Sequence, residues 1–97
     1  MSTPRIPERP RAVLVSLDIG KARPDDRAEE AARLVASAGA DVVEVIRGRR
    51  DRPDAKTFAG SGKVQEIQDA SRLHDAQVIV FDRELSAAQV RNLEKAI

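Results

Sequence analysis

Three short runs, AVLVSLD (12–18), VVEVI (42–46) and QVIVFD (77–82), constrain this chain more than any other feature. Each is rich in β-branched residues and leucine, with few polar residues interleaved. Strands covered on both faces read this way; strands with one wet face alternate. Between the runs the period changes. Ala28, Ala31, Ala32, Val35 and Ala38 recur at helical spacing, with Gly39 as the stop. Asp26 followed by Glu29, with Pro24 just upstream, marks that helix's start. From Lys63 to about His74, the residues Val64, Ile67, Ala70 and Leu73 form a second helical stripe. Ser86 and Gln89 make a capping box for a third helix, with Val90, Leu93 and Ile97 on its inner face. Thr57–Ala59 is expected to add one more short strand.

Strands alternating with helices predict an α/β fold. The expected form is a small three-layer domain with a mostly parallel sheet of three to four strands and about three helices. Its 97 residues suffice for one domain with a modest core. Prolines 4, 7 and 10 make residues 1–10 a flexible arm in this reading, leaving 11–97 as the folded unit. The last helix reaches Ile97 with no glycine cap and no return strand, so the sheet is expected to lack its final strand. An edge is then open to self-association. The absence of cysteine removes disulfides and thiolate chemistry. No apolar run approaches the ~20 residues of a membrane span, and the first residues lack a signal-peptide core. A cytoplasmic protein is the expectation.

The net charge is +1, but it is unevenly placed. Residues 47–63 carry Arg47, Arg49, Arg50, Arg52, Lys56 and Lys63 against only Asp51 and Asp54. A basic segment, read here as a loop, on a slightly acidic body suits an anionic partner, although a plain solvated loop looks the same.

The stretch TFAGSGKVQEI (57–67) invites comparison with a P-loop. The Walker pattern requires glycine five residues before Gly62 and a hydroxyl residue after Lys63. Thr57 and Val64 stand there, so the pattern fails. Gly60, Ser61 and Gly62 just ahead of a helix, with Lys63 beside them, remain a possible general anion or nucleotide site; the competing reading is a tight turn. Asp18 and Asp82 lie at strand C-termini, where α/β proteins place their sites, but two isolated aspartates more often serve loops. His74, the lone histidine, falls at a helix end with no serine or acid placed to make it catalytic. No catalytic or metal-ligating set is expected. The two phenylalanines, Phe58 and Phe81, are too few for a base-stacking platform, which leaves phosphate and shape contacts by arginine and lysine.

Four stretches, AVLVSLD, RRDRPDAKTFAGSGKVQEI, VIVFDRELS and AAQVRNLEKAI, together resemble the N-terminal domain of HflX-type GTPases. The resemblance spans about Arg11 to Ile97. Two departures stand out: Ala87 replaces a proline after Ser86, and Leu73-His74-Asp75 ends the middle helix where glycine is common. The resemblance implies a module that binds the large ribosomal subunit, contacting ribosomal RNA. GTP and Mg2+ would belong to a downstream GTPase domain, so no cofactor and no enzyme activity are expected of this chain alone. ATP binding is associated with the N-terminal region of some members, and Gly60–Lys63 is the candidate position. A scaffold for the GTPase domain is the third reading.

Overall fold

The computed structural model describes residues 9–20 and 27–97. Residues 1–8 of the N-terminal arm, and Asp26 of the first helix-start signature, lie outside them. β1 (Arg11–Ile19) is the middle strand of a three-stranded sheet, with β2 (Asp41–Arg50) on one side and β3 (Val78–Phe81) on the other. Both pairings are parallel. They run from Arg11↔Asp41 to Ile19↔Arg50 and from Ala12↔Val78 to Val15↔Phe81. Parallel neighbours need crossovers, and α1 (Arg27–Ser37) and α2 (Ser61–His74) supply them; α3 (Ala87–Ala96) follows β3.

Ala12 through Leu17 are six consecutive buried residues, so β1 is covered on both faces as its composition predicts. Successive side chains of a strand point to opposite faces. Val13, Val15 and Leu17 meet Ile46, Phe58, Ala59, Ile67 and Ala70 in the main core under α2. Ala12, Leu14 and Ser16 turn to the face that α1 covers with Ala28. The expected three-layer arrangement results. At the start of β1 the register slips, leaving Val43 as an extra residue in β2. That bulge returns Ile46 to the main core and sets which later β2 residues face α2.

β2 extends further than the apolar run predicts. VVEVI ends at Ile46, yet pairing continues to Arg50, so the first part of the expected basic loop is strand. An edge strand can carry arginines because its side chains reach water while its backbone pairs inward. The short strand expected at Thr57–Ala59 is not formed. Asp54 and Phe58 instead exchange both backbone hydrogen bonds, at 2.9 and 2.8 Å, closing a tight turn. Phe58 adopts φ 70°, which is incompatible with an extended run.

The helix ends follow capping chemistry. Gly39, at φ 104°, donates to Ala36 O while Ala40 donates to Val35 O, a Schellman closure for α1. The same pattern ends α2 with Asp75 in the glycine role, at φ 54°. At α3, the Ser86 hydroxyl accepts from Gln89 N and the Gln89 side chain accepts from Ser86 N, completing the expected box. Relieving the left-handed strain in Asp75→Gly should stabilise the fold by about 0.5–1 kcal/mol, and Ser86→Ala should destabilise it by about 1 kcal/mol. Urea denaturation midpoints of the two variants against the parent chain measure both, and shifts of the same sign would contradict these assignments.

Candidate nucleic-acid interface

Beyond the bulge, β2 side chains alternate between two faces. Glu44, Ile46, Gly48 and Arg50 turn toward α2, whereas Arg47 and Arg49 turn to the opposite side. The six cations singled out in the sequence therefore do not share one plane. They wrap around the C-terminal end of the edge strand, and they do different work.

Arg50 and Lys63 are built into the fold. Arg50 Nη1 donates to Ala59 O at 3.2 Å and Nε donates to Arg52 O at 3.2 Å, pinning the 52–59 turn. The Lys63 side chain lies over β2 where Gly48 has no side chain, its ammonium donating to Arg47 O at 2.9 Å and pairing with Glu66 at 3.1 Å. It does not line the Gly60–Gly62 helix start as an anion clamp would. Arg47, Arg52 and Lys56 are exposed. Arg49 is exposed too, with Nη1 donating to Gly20 O at 2.6 Å.

The turn that presents Arg52 and Lys56 is organised by Asp54. Its Oδ1 accepts from Lys56 N at 2.8 Å and Thr57 N at 2.9 Å, and Thr57 Oγ1 in turn accepts from Gly60 N at 3.1 Å. The backbone N–H of Thr57, then that of Lys56, hold the Asp54 carboxyl below its ordinary 3.8. α3 braces the same turn from the other side, Gln89 Nε2 donating to Asp54 O at 2.8 Å and Asn92 Nδ2 to Lys56 O at 2.9 Å. Sequence reasoning missed this brace: Asp54 counted only as a charge offset and Gln89 only as a cap. It also missed Lys95. A groove of about 690 Å3 runs between the turn, the start of α2 and the end of α3, lined by Lys56, Ser61, Gln65, Gln68, Asn92 and Lys95. Lys95 reaches it from the far end of the chain, and no local pattern announces that.

Two of the other singled-out residues, Asp82 and His74, have structural partners. Asp82 accepts from the buried Ser16 hydroxyl at 2.6 Å, while Arg83 Nε donates to Leu17 O at 3.0 Å. His74 Nε2 lies 2.7 Å from Glu44 Oε1, tying the end of α2 to β2. Among the described residues, no three His, Cys, Asp or Glu side chains converge as metal ligands would.

The family described as GTP-binding GTPase N-terminal matches residues 25–97. The chain belongs to that family. Proteins named GTPase HflX are its relatives: that of Escherichia coli (strain K12) is 41% identical over 85 residues, covering 88% of this chain and 20% of the relative. That of Lacrimispora saccharolytica is 40% identical over 88 residues, 90% of this chain and 21% of the relative. The Flavobacterium psychrophilum protein is 39% identical over 64 residues, 66% of this chain and 16% of the relative. The chain thus spans about a fifth of the length of these HflX relatives. No helix among the described residues is long and apolar enough to cross a membrane.

The two glycines of this HflX-type turn are distinguishable. Gly60, at φ 85° and ψ 159°, occupies a conformation nearly confined to glycine, and a Cβ there would run into the Arg50 guanidinium. Gly62 lies inside α2 with open space where a Cβ would stand. Gly60→Ala should destabilise the fold by about 1–3 kcal/mol, whereas Gly62→Ala should stabilise it by up to about 1 kcal/mol. Chemical denaturation separates them, and equal effects would refute the distinction. Because the folded Asp54 holds its proton less tightly than the unfolded chain does, its contribution is complete above pH ~4 and lost on further acidification. The acid limb of a stability–pH profile should therefore flatten in Asp54→Asn, and an unchanged limb would count against this linkage.

Proposed function

We infer that this domain is the ribosome-docking module of an HflX-type GTPase, meeting ribosomal RNA of the large subunit through the end of β2 and the Asp54 turn. The observation that carries the reading is the exposure of Arg47 and Arg49 at the end of β2 and of Arg52 and Lys56 on the adjoining turn, which Arg50 and α3 hold from two sides. A braced turn presents its cations with little ordering left to do on binding, and arginine forks match phosphate oxygens. The ribosomal partner itself comes from the resemblance to HflX; the surface supplies the chemistry that such a partner requires. GTP hydrolysis is assigned on this reading to the portion of the relatives that this chain does not span. Phosphate contact replaces base stacking, since Phe58 and Phe81 are spent on an edge-to-face pair with centroids 6.1 Å apart.

Engagement of three or four of these cations predicts that log affinity for purified large subunits falls with log salt at a slope of about −2 to −4. Co-sedimentation across a salt series reads the slope, and the Arg47→Ala, Arg52→Ala, Lys56→Ala triple variant should flatten it and lose most binding. Salt-independent binding, or a triple variant that binds normally, would reject the docking surface. Saturable ATP or GTP binding in calorimetry, abolished by Gly62→Ala in a folded protein, would favour the nucleotide site at Gly60–Lys63. Absence of both activities in a folded chain would leave the scaffold reading.

A further inference from the structure

We propose that Gln89 and Asn92 of α3 are positioning residues for the basic turn: they hold Arg52 and Lys56 in the geometry that meets phosphate, without touching the ligand themselves. The identity of the ligand rests on the docking reading, whereas the positioning role rests on hydrogen bonds within this chain. From Arg52 to Lys56 the chain is exposed at Arg52, Pro53, Ala55 and Lys56 and half-buried at Asp54. The segment has no apolar anchor of its own, since burial resumes only at Thr57, Phe58 and Ala59. Its conformation therefore depends on hydrogen bonds, which are directional.

The donors inside the turn find partners within it. Asp54 and Phe58 exchange theirs, and Lys56 N and Thr57 N go to Asp54 Oδ1. Its carbonyls are held from outside by two elements. Arg50, from β2, reaches Arg52 O and Ala59 O, the two ends, both at 3.2 Å. α3 reaches the middle, at Asp54 O and Lys56 O, at 2.8 and 2.9 Å. The carbonyl that Asn92 holds belongs to Lys56, so this bond orients the backbone that carries one of the exposed cations. Gln89 and Asn92 stand three residues apart, on one face of the helix. The Gln89 side chain is fixed at both ends, its Oε1 accepting from Ser86 N while its Nε2 donates to Asp54 O. A helix cap thereby also anchors a turn 35 positions earlier in the chain. α3 is itself seated by the buried Leu93 and by Gln68 Nε2, which donates to Ala96 O at 3.0 Å. Freed on the α3 side, with Arg50 still in place, the turn stays on the protein but samples other geometries. Affinity then falls by the fraction of time the competent geometry is lost, while the number of phosphates engaged stays the same.

Asn92→Ala removes one donor at a position where alanine favours the helix, and Gln89→Met removes the other while keeping chain length and helix propensity. Ser86→Ala is the control, because it opens the cap but leaves the Gln89 side chain both of its partners. In the free chain, amide exchange followed by NMR should show the Lys56 and Thr57 N–H groups exchanging about 3–10-fold faster in Asn92→Ala and Gln89→Met, and unchanged in Ser86→Ala. Co-sedimentation with purified large subunits should show the same two variants binding about 3–10-fold more weakly at an unchanged salt slope, where Lys56→Ala lowers the slope by about 1. Turn amides that exchange at the parent rate in both variants, or that speed up equally in Ser86→Ala, would overturn the proposal. So would a loosened turn that binds subunits as tightly as the parent, or a lowered slope, which would make Gln89 and Asn92 contacts themselves. A parent chain that binds no subunits would reject the docking reading, and the positioning role would then stand or fall on the exchange rates alone.

Discussion

The burial of β1 on both faces is the constraint from which the other features follow. Six consecutive residues, Ala12–Leu17, are removed from water, and each large apolar side chain among them contributes on the order of 1.5–3 kcal/mol. A strand so committed must hold the centre of the sheet, which forces β2 and β3 to its sides and the helices onto its faces. It also outlasts its neighbours' apolar sequence. β2 stops being hydrophobic at Ile46, but the ladder that β1 offers continues, and Arg47 to Arg50 are drawn into it. The basic residues are thereby strung along a hydrogen-bonded edge where a disordered loop would have held them loosely.

Within that strand the arginines divide by the period of two. Arg50, on the α2 side, is turned back onto the chain and serves as a strut to Ala59. Its position is possible because Gly60 lacks a Cβ, just as Lys63 can lie over β2 because Gly48 lacks one. Two glycines and two cations thus form one structural device, a close crossing of α2's start over the end of β2. A gain for folding is a loss for ligand binding. The cations nearest to the glycine-rich turn are the ones occupied with backbone carbonyls and Glu66, and the exposed charge is displaced to Arg47, Arg52 and Lys56.

What could be read from the sequence was whatever a local period records. The three strands, the three helices, Gly39 as a stop and the Ser86–Gln89 box all follow from spacing within a few residues. The length of β2 could not be read that way, since pairing with β1 decides it and no propensity in RGRR reports that. The turn at 54–60 was misjudged because Thr57-Phe58-Ala59 looks extended by composition, whereas the exchange of hydrogen bonds between Asp54 and Phe58 and the φ of Phe58 bend it. The six cations were found as a set, but their separation into struts and exposed charges depends on Gly48, Ala59 and α2. These are contacts between segments, and a linear reading contains no signal for them.

The two edges of the sheet are chemically opposite, and this asymmetry ties the surface to the fold. β2 ends in arginines and a short turn, features that discourage another strand from adding there, because a newcomer would have to settle against exposed like charges. β3 offers valine, isoleucine and phenylalanine, with a largely apolar groove on its α3 face. Any extension of this sheet is therefore directed to the β3 side, away from Arg47, Arg52 and Lys56. The same arginines that suit a phosphate surface also protect that surface from being covered by sheet growth. A single strand composition, VVEVI followed by RGRR, performs both tasks: its first half holds the edge to the core, and its second half keeps the edge facing water.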